Sequence, residues 1–194
     1  MSGLVKKVVS FVVLYAVSRT ALSADATSRK HRSLPRVYTL QYAGNLGLLS
    51  GGLGYSLLND KIRVGVFYGY VPKAYAPKAI HTIAFKSTLN VFQSRGGQDK
   101  LYLGTTLNME TGNNAFLKLP DKYPKGYYQT NAFHSTVFAG VKSFIAVKHD
   151  WWLKGVEPYL ECGTVDTYLY YCLADKLSFF NILSLSAGVN FKFR

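Results

Sequence analysis

Acidic residues are scarce in this chain: 10 Asp and Glu stand against 23 Lys and Arg, leaving a net charge of +13. An excess of that sign usually points to nucleic acid or another polyanion. Cysteine is rarer, confined to Cys162 and Cys172, whose spacing is not the CxxC of a redox or zinc site. The four histidines, His31, His81, His134 and His149, show no ligand spacing, so no metal or other cofactor is expected. Nor is there an apolar run of the roughly 20 residues that a spanning helix needs. Beyond the N-terminal segment no window carries a helical stripe.

What is present begins with Lys6 and Lys7, followed by the apolar run Val8 to Val17, which Arg19 ends. That is the plan of a secretory signal peptide, too short for an anchor, and the small residues Ala21, Ser23 and Ala24 place cleavage after Ser23, with cleavage after Ala24 as the near alternative. Residues 1–23 are thus expected to be removed, 24–36 to form a polar, basic spacer, and 37–194 to form one domain. The 171 residues left after cleavage suffice for a core or a closed barrel. Losing Lys6, Lys7 and Arg19 lowers the charge to about +10. Export argues against nucleic acid, so lipid phosphate becomes the expected partner of that charge. In an exported chain the even pair Cys162 and Cys172 is expected to form a disulfide.

The remainder alternates with period two between clusters rich in Gly, Asn, Asp and Pro, which predicts an all-β chain. Ile62, Val64, Val66, Tyr68 and Tyr70 share one face of a strand, against Arg63, Gly65, Phe67 and Gly69 on the other. The last segment is the clearest, with Leu183, Leu185, Ala187, Val189, Phe191 and Phe193 alternating with Ser184, Ser186, Gly188, Asn190 and Lys192. A soluble sandwich would cover its second face with long charged side chains. Here that face is mostly Gly, Ser, Thr and Asn, which suits the crowded inside of a narrow barrel whose apolar face meets lipid. Strands are expected over 37–44, 47–58, 62–71, 79–92, 100–110, 131–144, 152–162 and 181–193, an even number as single-chain barrels require. Short connections near 59–61, 94–97 and 148–150 then fall at one end, and the long ones, 111–130 and 163–180, at the other. The fold predicted is an antiparallel up-and-down transmembrane β-barrel of about eight strands.

The leader, the dyad-patterned strands and the terminal run Leu183 to Phe193 resemble the small single-chain outer-membrane β-barrels of bacteria. The resemblance covers most of the mature chain by pattern, without a specific motif. It implies a bacterial outer-membrane location, outer-membrane lipids as neighbours, and recognition of the last strand by the barrel-assembly machinery through Phe193, which Arg194 follows. The role it implies is structural, or binding of surface lipid or of an extracellular or membrane-protein partner, with no catalysis evident.

Three sets of residues are candidates for a site. Arg63, Lys86, Lys142 and Lys192 share the inward faces with Glu157 and Glu161, and buried charges are costly unless paired, so an ion-pair network filling the lumen is expected. The alternative, a pore lined by those charges, conflicts with the narrowness of eight strands. The connection over 111–130 sets Lys118, Lys122 and Lys125 among aromatics that include Tyr127 and Tyr128, a composition suited to lipid phosphates or a partner at a membrane rim. Outer-membrane lipid A deacylases pair His-x-Ser on one strand with an acid. The nearest match here is His134 with Thr136, with Glu157 or Glu161 as acid, because His134 and Ser135 face opposite ways. A secreted lipocalin-like barrel is the remaining alternative. Gly51, Gly52 and Gly54 lie within a strand pattern with no helix after them, so they are not a phosphate loop.

Overall fold

The computed structural model describes residues 36–111, 132–147, 152–174 and 178–194. The signal peptide and spacer expected over 1–36 lie outside them except for Arg36, as do Lys118, Lys122, Lys125, Tyr127 and Tyr128. The strands are β1 (Val37–Ala43), β2 (Leu49–Leu57), β3 (Ile62–Val71), β4 (Ile80–Gln93), β5 (Asp99–Thr111), β6 (Phe133–Ser143), β7 (Ile145–Ala146), β8 (Leu153–Val165) and β9 (Ser184–Phe193). β6 and β7 pair in succession with β8, so they form one stave broken at Phe144. Each stave is antiparallel to its sequence neighbour, and β1 pairs with β9, closing an eight-stranded barrel without a free edge.

The expected strands therefore form, within a few residues at each end. Two differences stand out. β8 continues to Val165 and runs into a two-turn helix, α1 (Asp166–Leu173), where a loop from 163 was expected. α1 buries none of its residues, so no apolar stripe announces it in the sequence. The first hairpin, between β1 and β2, is short because it folds inward: Leu46 is 3% exposed and packs on Phe67 and Ala84. Its approach requires Gly69, where a Cβ would lie 1.7 Å from the Leu46 carbonyl oxygen.

The alternation of side chains is inside out relative to a soluble domain. Leu40, Leu53, Val66, Phe85, Leu103, Val141, Leu160 and Leu185, one from each stave, are 48–67% exposed. Inside lie Thr39, Gln41, Ser50, Thr82, Thr88, Thr106, Asn108, Thr136 and Asn190, all buried. Bulky inward side chains fit because each sits over a glycine directly across the ladder. Phe67 faces Gly52, Tyr102 faces Gly140, Phe138 faces Gly104 and Tyr159 faces Gly188. A Cβ on Gly188 would meet the Tyr159 ring at 2.4 Å, and one on Gly140 the Tyr102 ring at 2.6 Å.

Gly188→Ala and Gly140→Ala should each destabilise the barrel by about 1–3 kcal/mol through overpacking. Gly51, on the outer face, has nothing closer than 3.8 Å to such a Cβ, so Gly51→Ala should be close to neutral. Thermal unfolding in detergent checks the contrast, and equal melting of all three variants would show that the ring-on-glycine contacts are slack.

Candidate functional site

The charged side chains that the strands turn inward meet in two clusters. In the first, the β2–β3 turn delivers Asp60 to the end of the lumen. Leu58, Asn59 and Asp60 take left-handed φ values of +50°, +55° and +68°, a conformation that Asn and Asp tolerate and Leu resists. The turn is held by what Asp60 binds. Its carboxylate accepts from Arg63 Nη2 at 3.1 Å, Lys100 Nζ at 2.6 Å, Lys192 Nζ at 2.8 Å and Ser56 Oγ at 2.7 Å, and its carbonyl oxygen accepts from the Asn90 amide. Arg63 Nη2 also donates to Glu157 Oε2 at 2.7 Å, and Lys192 Nζ lies 2.7 Å from Glu157 Oε1. Glu157 is fully buried. Burial alone would raise the Asp60 carboxyl, but Arg63 and the hydrogen bonds from Lys100 and Lys192 hold it well below the usual carboxylate range.

The second cluster centres on Lys86 and Glu161. Lys86 Nζ donates to Glu161 Oε2 at 2.7 Å and to Gln41 Oε1 at 3.0 Å. Three rings surround the same ammonium, with centroids at 5.2 Å for Phe67, 4.8 Å for Phe138 and 5.3 Å for Tyr159, within cation–π range. Glu161 further accepts from Tyr102 at 2.9 Å and Ser186 at 3.3 Å, and Tyr159 donates to Gln41 at 2.9 Å. Among the described residues, cavities of about 30 and 20 Å³ lie in the lumen, each bordered by Lys86 and Glu161. They are of the size that holds ordered water.

Of the six residues singled out as a lumen network, Arg63, Lys86, Glu157, Glu161 and Lys192 take part in these ion pairs. Lys142 does not. It is 5% exposed, and its ammonium stands 4.8 Å from the Tyr102 ring centroid with no carboxylate partner among the described residues. Asp60 and Lys100 belong to the network and were missed. Asp60 sits in a turn, outside any alternating run, and Lys100 is at the start of a strand whose inward phase begins to show only at Tyr102.

The residues considered for hydrolysis are not assembled as such. Thr136 Oγ1 accepts from Asn108 Nδ2 at 3.0 Å, and His134 makes no hydrogen bond with a described residue. Both proposed acids are engaged by cations, and Glu161 lies opposite Gly140, four residues, or about 13 Å, along the ladder from the Thr136 pairing. Ser135, on the outer face, donates instead to Asp166 at the start of α1, at 3.1 Å. Cys162 and Cys172 are both free thiols, so the expected disulfide is absent, with Cys162 on the outer face of β8 and Cys172 in α1. His81, at the far end of β4, hydrogen-bonds the Tyr68 hydroxyl at 2.6 Å. No protein-family model, curated protein or solved structure matches the chain.

Glu157→Gln combined with Glu161→Gln should lower stability by at least about 3–5 kcal/mol, because it strands buried cations, whereas neutralising the exposed Lys154 should cost no more than about 1 kcal/mol. Unfolding midpoints by gel shift in detergent would report it, and an unchanged midpoint in the double variant would mean that the glutamates are not what neutralises the lumen.

Asp60 gives a prediction with a pH signature. Its folded value lies below the unfolded one of about 3.9, so its stabilisation is complete above roughly pH 5 and is lost as the pH falls through the folded value. The gap in melting midpoint between the wild type and Asp60→Asn should thus be widest near neutrality and narrow below pH 4. A gap independent of pH would assign the effect to the turn conformation and not to the charge.

Proposed function

We propose that the chain is exported and inserted in a bacterial outer membrane as a closed, plugged barrel that conducts nothing, with a structural role and loops that contact surface lipid or a partner. The observation that carries this is the outer face. Apart from Asp99 and Lys154 at strand ends, its strand positions hold no Asp, Glu, Lys or Arg. Cross-strand pairs link Val156, Phe191, Tyr38, Leu53, Val66, Phe85 and Leu107 into one continuous apolar row. A soluble monomer rarely exposes more than a few hundred Å² of contiguous apolar surface, whereas lipid removes the cost of such a belt and penalises charge in it.

The ends support the same reading. Connections of a few residues join β2 to β3 and β4 to β5 at one end, while the other carries the 20-odd residues between β5 and β6 and the α1 segment before β9. Exposed Tyr168, Tyr170, Phe179 and Phe180 lie in that latter connection, side chains that favour a membrane–water interface. The basic, aromatic stretch with Lys118, Lys122, Lys125, Tyr127 and Tyr128 belongs to the same end and suits anionic head groups. Phe193 closes β9 with its ring edge-on to Tyr38 at 5.0 Å, as the terminal aromatic read during barrel assembly. A secreted carrier is disfavoured, because the lumen cavities are far smaller than the roughly 300 Å³ that a ligand pocket needs.

Expressed with its leader, the mature chain should fractionate with outer membranes and migrate faster on a gel unheated than boiled, since a closed barrel resists detergent. Recovery as a soluble monomer without detergent would overturn the proposal.

A further inference from the structure

The lumen is not electrically closed. Among the described residues, along the stretch from the Asp60 turn to Glu161, five cations face inward, Arg63, Lys86, Lys100, Lys142 and Lys192, against the three carboxylates of Asp60, Glu157 and Glu161. Each of these carboxylates is taken by at least one of the other four cations, and among the described residues Lys142 is left with an aromatic ring alone. The next inward acid, Glu110, is eight residues beyond Tyr102 on β5, about 26 Å along the strand. Arg63 adds a second unused donor: its hydrogen bonds leave from Nη2, and its buried Nε has no partner among the described residues. Arg63 and Lys142 line the same cavity of about 30 Å³, which the ion-paired Lys86 and Glu161 also border, together with Thr39 and Asn190.

A buried ammonium without a counter-charge is expensive, and a guanidinium N–H left unbonded adds to that cost. From this arrangement we infer that the cavity is a binding site for one small monovalent anion of the halide class, held between Arg63 Nε and Lys142 Nζ. The volume exceeds the roughly 10–15 Å³ that one water needs by the same measure, so it admits a monatomic ion with a water and excludes a hydrated tetrahedral oxyanion. The ion offsets part of the two-charge excess and completes the plug. The inference rests on the lumen alone and holds wherever the barrel resides.

The test uses bromide. The folded chain in detergent is melted at constant ionic strength in mixtures of sodium bromide and sodium gluconate, an anion too large to enter. The midpoint should climb with the logarithm of bromide once the site begins to fill, as linkage requires. Lys142→Met keeps the apolar stem and removes the charge, so its midpoint should not respond to bromide, while Lys154→Met, at an exposed position, should respond as the wild type does. Equal melting of the wild type in bromide and gluconate would overturn the inference, as would a full bromide response in Lys142→Met. Should that variant fail to fold, wild-type crystals grown in bromide decide the matter. An anomalous peak between Arg63 and Lys142 is expected, and a cavity without anomalous signal, or bromide on surface lysines only, refutes the site.

Discussion

Eight staves enclose a space that side chains alone can fill, and the rest of this molecule follows from how they fill it. A soluble domain of this size would place its apolar side chains there. Here the buried apolar cluster among the described residues is Leu46, Phe67 and Ala84, and the lumen is held by Asp60, Glu157 and Glu161 bridging cations from β3, β4, β5 and β9. Each pair is favourable because its partners are already fixed by the ladder, so desolvation is offset by close cations at every carboxylate and by several hydrogen bonds at Asp60 and Glu161. The ion network is therefore a consequence of barrel closure as much as a cause of stability: without the staves in register, Arg63 and Glu157, 94 positions apart, would not meet.

The same narrowness explains the glycines. Tyr102, Phe138 and Tyr159 must lie flat across the lumen to reach Glu161, Lys86 and Gln41, and they can do so only where the opposite residue has no side chain. Glycine weakens an isolated strand, yet opposite Phe67, Phe138 and Tyr159 it supplies the room that lets those three rings cage the Lys86 ammonium. Polar and aromatic interior, glycine placement and closure are thus one constraint seen from three sides.

Much of this architecture is legible in the sequence, since period-two alternation with an uncharged apolar phase fixes strand number, facing and parity without any contact being known. Arg63, Glu157 and Glu161 fall on the right phase for that reason. What alternation cannot supply is register. That Tyr102 meets Gly140, or that Lys192 reaches both Glu157 and Asp60, depends on which residue stands opposite which, and a shift of two along any stave would keep every residue facing as it does and change every partner. Residues off the strands are hidden for a different reason. Asp60 and Leu46 enter the lumen from turns, where no periodicity exists to betray their direction, and α1 buries nothing that would give it a stripe.

The two ends of the barrel divide the work that remains. One is sealed by the Asp60 turn, whose left-handed Leu58 is tolerated only because three cations and Ser56 hold the aspartate inside. At the other, Leu46 packs over Gly69, and the α1 segment before β9 carries the exposed Tyr168, Tyr170, Phe179 and Phe180. A barrel packed through its middle leaves inside, among the described residues, small voids such as the one bordered by Arg63 and Lys142, too small for an organic ligand. The α1 segment at that end is anchored to the barrel. Ser135 and Asp166 show how this is arranged, because a hydroxyl on the outer face of β6 fixes the first residue of α1 and ties the loop to the wall of the barrel.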